Sequence, residues 1–266
     1  MAGSLSDALE IKLLDHVLKT TPYVQPTNIY IALCTGDLTD AGNGGTEITG
    51  KSGYARVVMD SWDAAASRAT ENTNQITFAQ AGEDWGTISH YGIYDAITGG
   101  NFLAHGDFTV SKAAPIGTNL YIAAGDIDVV FSAGGICDGL ANKLLDHVFK
   151  VTEHTVDTNL YVALFTASPT DDGVSGTECT GGSYAREVCN GWDAAAAGAS
   201  ENTAAVTFDT ATASWGTVTH FMIMNHIDAA ESTANTLIWG TVDPNRVIGI
   251  DDVAEYAAGA LDITLT

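Results

Sequence analysis

The spacing of apolar residues changes period once in each half of the chain. In LSDALEIKLLDHVLK, residues 5–19, Leu9, Leu13 and Val17 recur at helical spacing, and Leu14 and Leu18 widen the stripe. Ser4, Ser6 or Asp7 can cap the start of that helix, and Pro22 and Pro26 stop it. A matching stretch, KLLDHVFK at 143–150, follows Asp138 as its candidate cap. After each helix the pattern shortens. IYIALCT, YARVVM, QITFAQ, TISHYGIYDA, NFLAHGDFTV, LYIAAG and IDVVF are β-branched and aromatic-rich runs, separated by clusters of Gly, Asn, Asp and Ser. Strands do not alternate with helices, which argues against a doubly wound α/β fold. The expected fold is mainly β: antiparallel, β-sandwich-like domains, each opened by one α-helix. WDAAASRAT, 62–70, fits either a short helical turn or an exposed loop.

The halves repeat one another in order. IYIALCT at 29–35 returns as LYVALFT at 160–166, and YAR at 54–56 returns at 184–186. WDAAA at 62–66 returns at 192–196, and WGTISHYGIYD at 85–95 returns as WGTVTHFMIMN at 215–225. A period near 130 is that of a domain, not of a solenoid unit. Two homologous domains are therefore expected, at 1–133 and 134–266, joined through the glycine-rich SAGGICDG, 132–139. So short a link predicts side-by-side domains in a fixed relation.

Charge narrows the partners. The chain carries 10 basic and 33 acidic residues, a net charge of −23, which repels nucleic-acid phosphates and anionic membranes. No apolar run has the length of a membrane span. MAGSLSDALE lacks the basic start and apolar core of a secretory leader, so synthesis in a cytoplasm is expected. The cysteines, Cys34, Cys137, Cys179 and Cys189, form no CxxC pair, and no zinc site is expected; Cys179 and Cys189 could face each other across neighbouring strands as a disulfide.

One stretch advertises chemistry. Gly45 to Ser52 satisfies G-x-x-x-x-G-K-[ST], the phosphate-binding loop. That chemistry needs a helix after the loop, whereas Gly53-Tyr54-Ala55-Arg56-Val57 reads as strand, and Glu47 would repel phosphate. The second copy, SGTECTGGSYAR, lacks the lysine but keeps Glu178, Tyr184 and Arg186. The repeated pairs Glu47 with Arg56 and Glu178 with Arg186 read as loop-to-strand clamps or as interface contacts. His16 and His147, and His90 and His220, repeat as candidate hydrogen-bonded core residues. No repeated acid/base pair or nucleophile constellation appears, so no enzymatic activity, cofactor or metal is expected. TDAGNGGTE and TDDGVSGTE carry calcium-type residues without EF-hand spacing, and turn chemistry explains them equally well.

In order and spacing, KLLDHVLK, YIALCT, GGTEITG, GYAR, ITF, WGTISHYGIYDA, GNFLAHGDF and AAGDID resemble a family of bacteriophage virion proteins usually called phage tail fibre proteins. The likeness covers nearly all of both halves, a tandem duplication of a unit that the family commonly holds once. The second copy departs at Met222-Ile223-Met224-Asn225 and over 226–254. The resemblance implies a structural virion role, as tail fibre, tail-associated part or capsid decoration, with assembly in the host cytoplasm. Its implied partners are other virion proteins and copies of itself; symmetric assembly favours a trimer, because three two-domain chains would offer six pseudo-equivalent units. A receptor- or glycan-binding module is the alternative, with Trp62 and Trp192 of the WDAAA segments as candidate contacts for a host surface.

Overall fold

The computed structural model describes residues 3–19, 21–228 and 230–265. With 37% of residues in strands and 9% in two helices, the protein is mainly β. The helices are α1, Asp7–Leu18, and α2, Asp138–Phe149. Neither is long and apolar enough to cross a membrane.

The chain forms two compact units, and these are not the two repeat copies. One unit comprises Met1–Glu10, Val24–Phe131 and Asn142–His154; the other comprises Ile11–Tyr23, Ser132–Ala141 and Thr155–Thr266. The division at 133 and 134 describes the duplication in sequence. A compact unit instead needs three segments, one of them drawn from the other copy's helix.

In the first unit the strands are β1 Ser4–Leu5, β2 Tyr30–Cys34, β3 Val57–Val58, β4 Ala69–Glu71, β5 Ile76–Gln80, β6 Thr87–Tyr94, β7 Phe102–Ala113, β8 Asn119–Ile122 and β9 Asp128–Val130. A five-stranded sheet runs β1-β7-β6-β2-β3, flanked by the antiparallel pairs β4-β9 and β5-β8. β2 lies inside the sheet, between β6 and β3, and is apolar on both faces, with Ile31, Ala32, Leu33 and Cys34 all buried. β5 shows the alternation of a half-exposed strand, with Ile76 and Phe78 inward. Trp85, Tyr91, Ile31 and Leu33 are among the largest fully buried side chains.

The second unit holds β10 Tyr161–Ala167, β11 Thr177–Glu178, β12 Glu187–Val188, β13 Ala199–Glu201, β14 Val206–Thr207, β15 Gly216–Met224, β16 Thr236–Ile248, β17 Glu255–Tyr256 and β18 Asp262–Thr264. Its main sheet runs β11-β10-β15-β16, with β12 also on β10; β13-β18 and β14-β17 flank it. The register repeats that of the first unit: Ala32 faces Gly92 there, and Ala163 faces Met222 here. Cys137, Ala163, Phe165, Met222 and Met224 form a buried cluster against Trp239.

Local chemistry sets the element ends. Ser6 caps α1, its hydroxyl accepting from Leu9 N–H at 3.2 Å and donating to Phe102 C=O at 2.7 Å. Asp138 is the first residue of α2 rather than the residue before it. The WDAAASRAT segment is neither a helical turn nor an open loop. Ala66 and Ala69 exchange backbone hydrogen bonds of 2.9 and 3.0 Å around Ser67 and Arg68, both left-handed at φ 51 and 67. That is the backbone of a tight two-residue hairpin, which ordinarily favours Asn-Gly. The second copy builds it from Ala197 and Gly198.

Candidate functional site

The GTE…YAR stretch folds into a closed polar clamp in each unit. Glu47 follows β2 in chain order and bridges back to Cys34. Arg56 immediately precedes β3, so the two side chains converge at one end of the sheet. Arg56 Nε donates to Glu47 Oε1 at 2.9 Å and Nη2 to Oε2 at 2.7 Å, a bidentate pair. Tyr54 Oη donates to Glu47 Oε1 at 2.8 Å and accepts from Leu33 N–H at 3.1 Å. Arg56 Nη1 reaches the carbonyls of Ala96 and Gly99 at 3.0 and 2.7 Å, and its guanidinium lies 3.5 Å above the Tyr94 ring.

The second unit reproduces the arrangement. Arg186 donates to Glu178 Oε1 and Oε2 at 2.9 and 2.7 Å, and Tyr184 Oη donates to Glu178 Oε1 at 2.9 Å. Leu164 N–H donates to Tyr184 Oη at 2.9 Å, and Arg186 Nη1 donates to His226 C=O at 2.9 Å. Both arginines are nearly buried, with side-chain exposures of 8% and 6%. Burial acts to lower their basicity, but the bonded carboxylate more than offsets it and the guanidinium is held charged. Burial pushes the Tyr54 and Tyr184 hydroxyls up, so they stay protonated and donate. Chemically the arrangement pins a turn: the carbonyls that each arginine holds belong to the segment after β6 or β15.

The formal phosphate loop lies in this same stretch. No helix follows Ser52; turns and then β3 do. Glu47, which the motif would place beside phosphate, is taken by Arg56 and Tyr54. The lysine has no counterpart in the second clamp.

The remaining sequence candidates disperse. Trp62 and Trp192 are each 4% exposed, so neither offers an aromatic surface to a host ligand. Their indole N–H groups donate to Met59 and Cys189 carbonyls at 3.2 and 2.9 Å, and Trp62 packs on Phe149 at 4.8 Å. Cys179 and Cys189 are buried free thiols, so the disulfide suggested by their spacing is not formed. His16 and His147 are buried acceptors: Nδ1 takes the N–H of Tyr23 and of His154, each at 3.0 Å. In the acidic loop 170–178, Asp172 accepts from Val174 and Ser175 N–H at 2.8 and 2.9 Å, which is turn chemistry. The Ser175 hydroxyl bond leads the same set of bonds in holding the Asp172 carboxyl at about 2.

Two features lay beyond sequence reasoning. Asp146 Oδ1 accepts from Ala65 N–H, and Asp15 Oδ1 accepts from Ala195 N–H, both at 2.8 Å. Their repetition within LLDH was visible, but no local pattern says what they hold. The other is a set of exposed apolar residues at equivalent places. Val58 and Val188, opposite Tyr30 of β2 and Tyr161 of β10, are 48% and 53% exposed. Ile97 and Ile227, each next to a carbonyl held by the clamp arginine, are 52% and 42% exposed. Ile116 and Ile250, each before a left-handed residue, are 70% and 64% exposed.

No curated protein matches the chain. A family model matches it twice, over residues 4–130 and 135–264, in step with the two clamps and the duplicated strand order. Those two matches span nearly the whole sequence, and the chain belongs to the family described as Podophage GP4 fiber I protein gp80.

Proposed function

We propose that this chain is a non-enzymatic structural component of a bacteriophage virion, assembled in the host cytoplasm and built into the tail fibre apparatus. The observation that carries the reading is the set of exposed apolar residues displayed alike by both copies: Val58 and Val188, Ile97 and Ile227, Ile116 and Ile250. Scattered single apolar residues are normal on a protein surface. Three pairs at equivalent positions form a repeated pattern that suits docking against neighbours. The clamps serve it, because Arg56 and Arg186 hold the turns that present Ile97 and Ile227. Membership of a phage fibre family supports the same reading.

The partners in this proposal are other virion proteins and further copies of the chain, with a trimer as the assembly. Changing Ile97, Ile227, Ile116 and Ile250 to Asp tests it. The variant should melt as the parent does and be missing from purified particles; particles that incorporate it normally refute the docking role. Imaging particles that carry a labelled chain should place the label on the tail, and a label on the head refutes the fibre assignment. Light scattering of the isolated parent chain checks self-association. The adhesion alternative rested on Trp62 and Trp192, and their burial leaves it without a named contact.

A further inference from the structure

In the first unit four side chains converge where the loop after β2 meets β6 and β7. His90 on β6 faces Asp107 on β7 in register, with Nε2 2.9 Å from Asp107 Oδ1. The His90 Nδ1 is engaged by the Ser89 hydroxyl at 2.7 Å, which aims Nε2 at the carboxylates. Asp37 comes from the loop. Among the described residues, Asp37, His90 and Asp107 each offer a ligand atom, and the three atoms lie within 4.8 Å of one another.

His105 supplies an independent sign. It is 8% exposed, and its Nε2 lies 2.9 Å from Asp40 Oδ1. Its buried Nδ1 lies 3.0 Å from Asp37 Oδ1, outside hydrogen-bonding geometry and without any other partner. A buried ring nitrogen without a hydrogen-bond partner, beside an oxygen of this cluster, calls for an explanation.

The second unit serves as an internal comparison. His220 keeps its hydroxyl support, with Thr219 Oγ1 2.8 Å from Nδ1. The register then places Thr241 opposite His220 where Asp107 stands opposite His90, and Trp239 opposite Met222 where His105 stands opposite Gly92. Ser168 takes the place of Asp37, each accepting from the N–H of a left-handed threonine, Thr170 or Thr39. Trp239 Nε1 donates to Asp171 at 3.1 Å, as His105 Nε2 meets Asp40. The bond to the loop aspartate is therefore common to both units. What the first unit adds is two carboxylates and one imidazole around His90, all three absent together from the second.

We propose that Asp37, His90 and Asp107 bind one first-row transition-metal dication, with Zn²⁺ as the physiological class, and that His105 orients the site from behind Asp37. One imidazole nitrogen and two carboxylate oxygens are a borderline-hard set suited to such ions. The ion would tie the loop after β2 to β6 and β7, adding a cross-link that the second unit lacks. Local spacing gives no hint of it, because the ligands stand at 37, 90 and 107 on three separate elements.

The test is titration of the full chain with Co²⁺ and Zn²⁺. One ion per chain is expected, with a Co²⁺ ligand-field band and no thiolate charge-transfer band. Asp37→Ser and Asp107→Thr install the residues that fold in the second unit. Each should weaken binding at least tenfold, with circular dichroism reporting the fold, while His220→Ala leaves binding unchanged. Absence of saturable binding by the parent chain overturns the proposal. So does binding that survives both substitutions, or binding that is lost in Cys34→Ser.

Discussion

The carboxylate of Asp146 accepts a 2.8 Å hydrogen bond from the backbone N–H of Ala65, although the two residues come from different copies of the repeat. Asn142 of the same helix accepts from Arg68 N–H at 2.9 Å, and Phe149 packs on Trp62. One helix face thus supports the WDAAA hairpin of the first unit. In the second unit, Asp15 holds Ala195 in the same way at 2.8 Å. Each compact unit borrows its helical support from the other copy's sequence.

Removing that support should be costly in both units. Asp146→Ala strands the Ala65 N–H, and Asp15→Ala strands that of Ala195, each lowering stability by about 1–3 kcal/mol. Asp146→Asn, which keeps an acceptor oxygen, should lose clearly less. Chemical denaturation of the three variants checks the order, and equal losses for Asn and Ala would contradict it.

The clamp should respond asymmetrically. Glu47→Ala leaves a nearly buried guanidinium without its carboxylate, a loss of about 3–5 kcal/mol. Tyr54→Phe removes only the hydroxyl that bridges Leu33 and Glu47, about 1–2 kcal/mol. Melting temperatures should rank the two in that order, and Glu178→Ala should match Glu47→Ala.

Trp62→Ala should destabilise by about 3–5 kcal/mol, since it empties a packed site against Phe149. Any loss of particle attachment should follow the fall in melting temperature. Lost adhesion at an unchanged melting temperature would instead return the indole to a contact role.

Stability should fall as pH rises toward neutrality through Glu10. Burial pushes its carboxyl up from 4.5 to about 7, and Asp40 and Asp7 add like-charge repulsion. The folded chain therefore holds a proton that the unfolded chain has released. The contribution is complete below pH 4.5 and is lost as pH passes through about 7. Glu10→Gln should flatten this slope, gaining roughly 2 kcal/mol at pH 8 and little at pH 4. Denaturation curves at the two pH values decide it.

The thiols should be silent. Burial raises Cys34 to about 12 and Cys179 and Cys189 to about 11. Little thiolate forms at neutral pH, and access is closed. A thiol reagent should label none of these until denaturant is added and all four cysteines afterwards. Early labelling of Cys179 or Cys189 would refute the burial.

The period of the apolar residues and the duplication were enough to read a mainly β chain, its two opening helices and the pairing of Glu47 with Arg56. These are local or repeated signals, since backbone preference and side-chain alternation act over a few residues. Comparing the two copies also exposed the lysine of the phosphate-loop match as incidental. Only the tertiary structure decided that Asp146 belongs with Ala65, that Trp62 and Trp192 are enclosed, and that Cys179 and Cys189 stay apart. It alone brings Asp37, His90 and Asp107 to one point. The reason is physical: burial and side-chain convergence depend on which strands and helices pack together. In this chain that packing joins residues 81 and 180 positions apart, from different copies of the repeat.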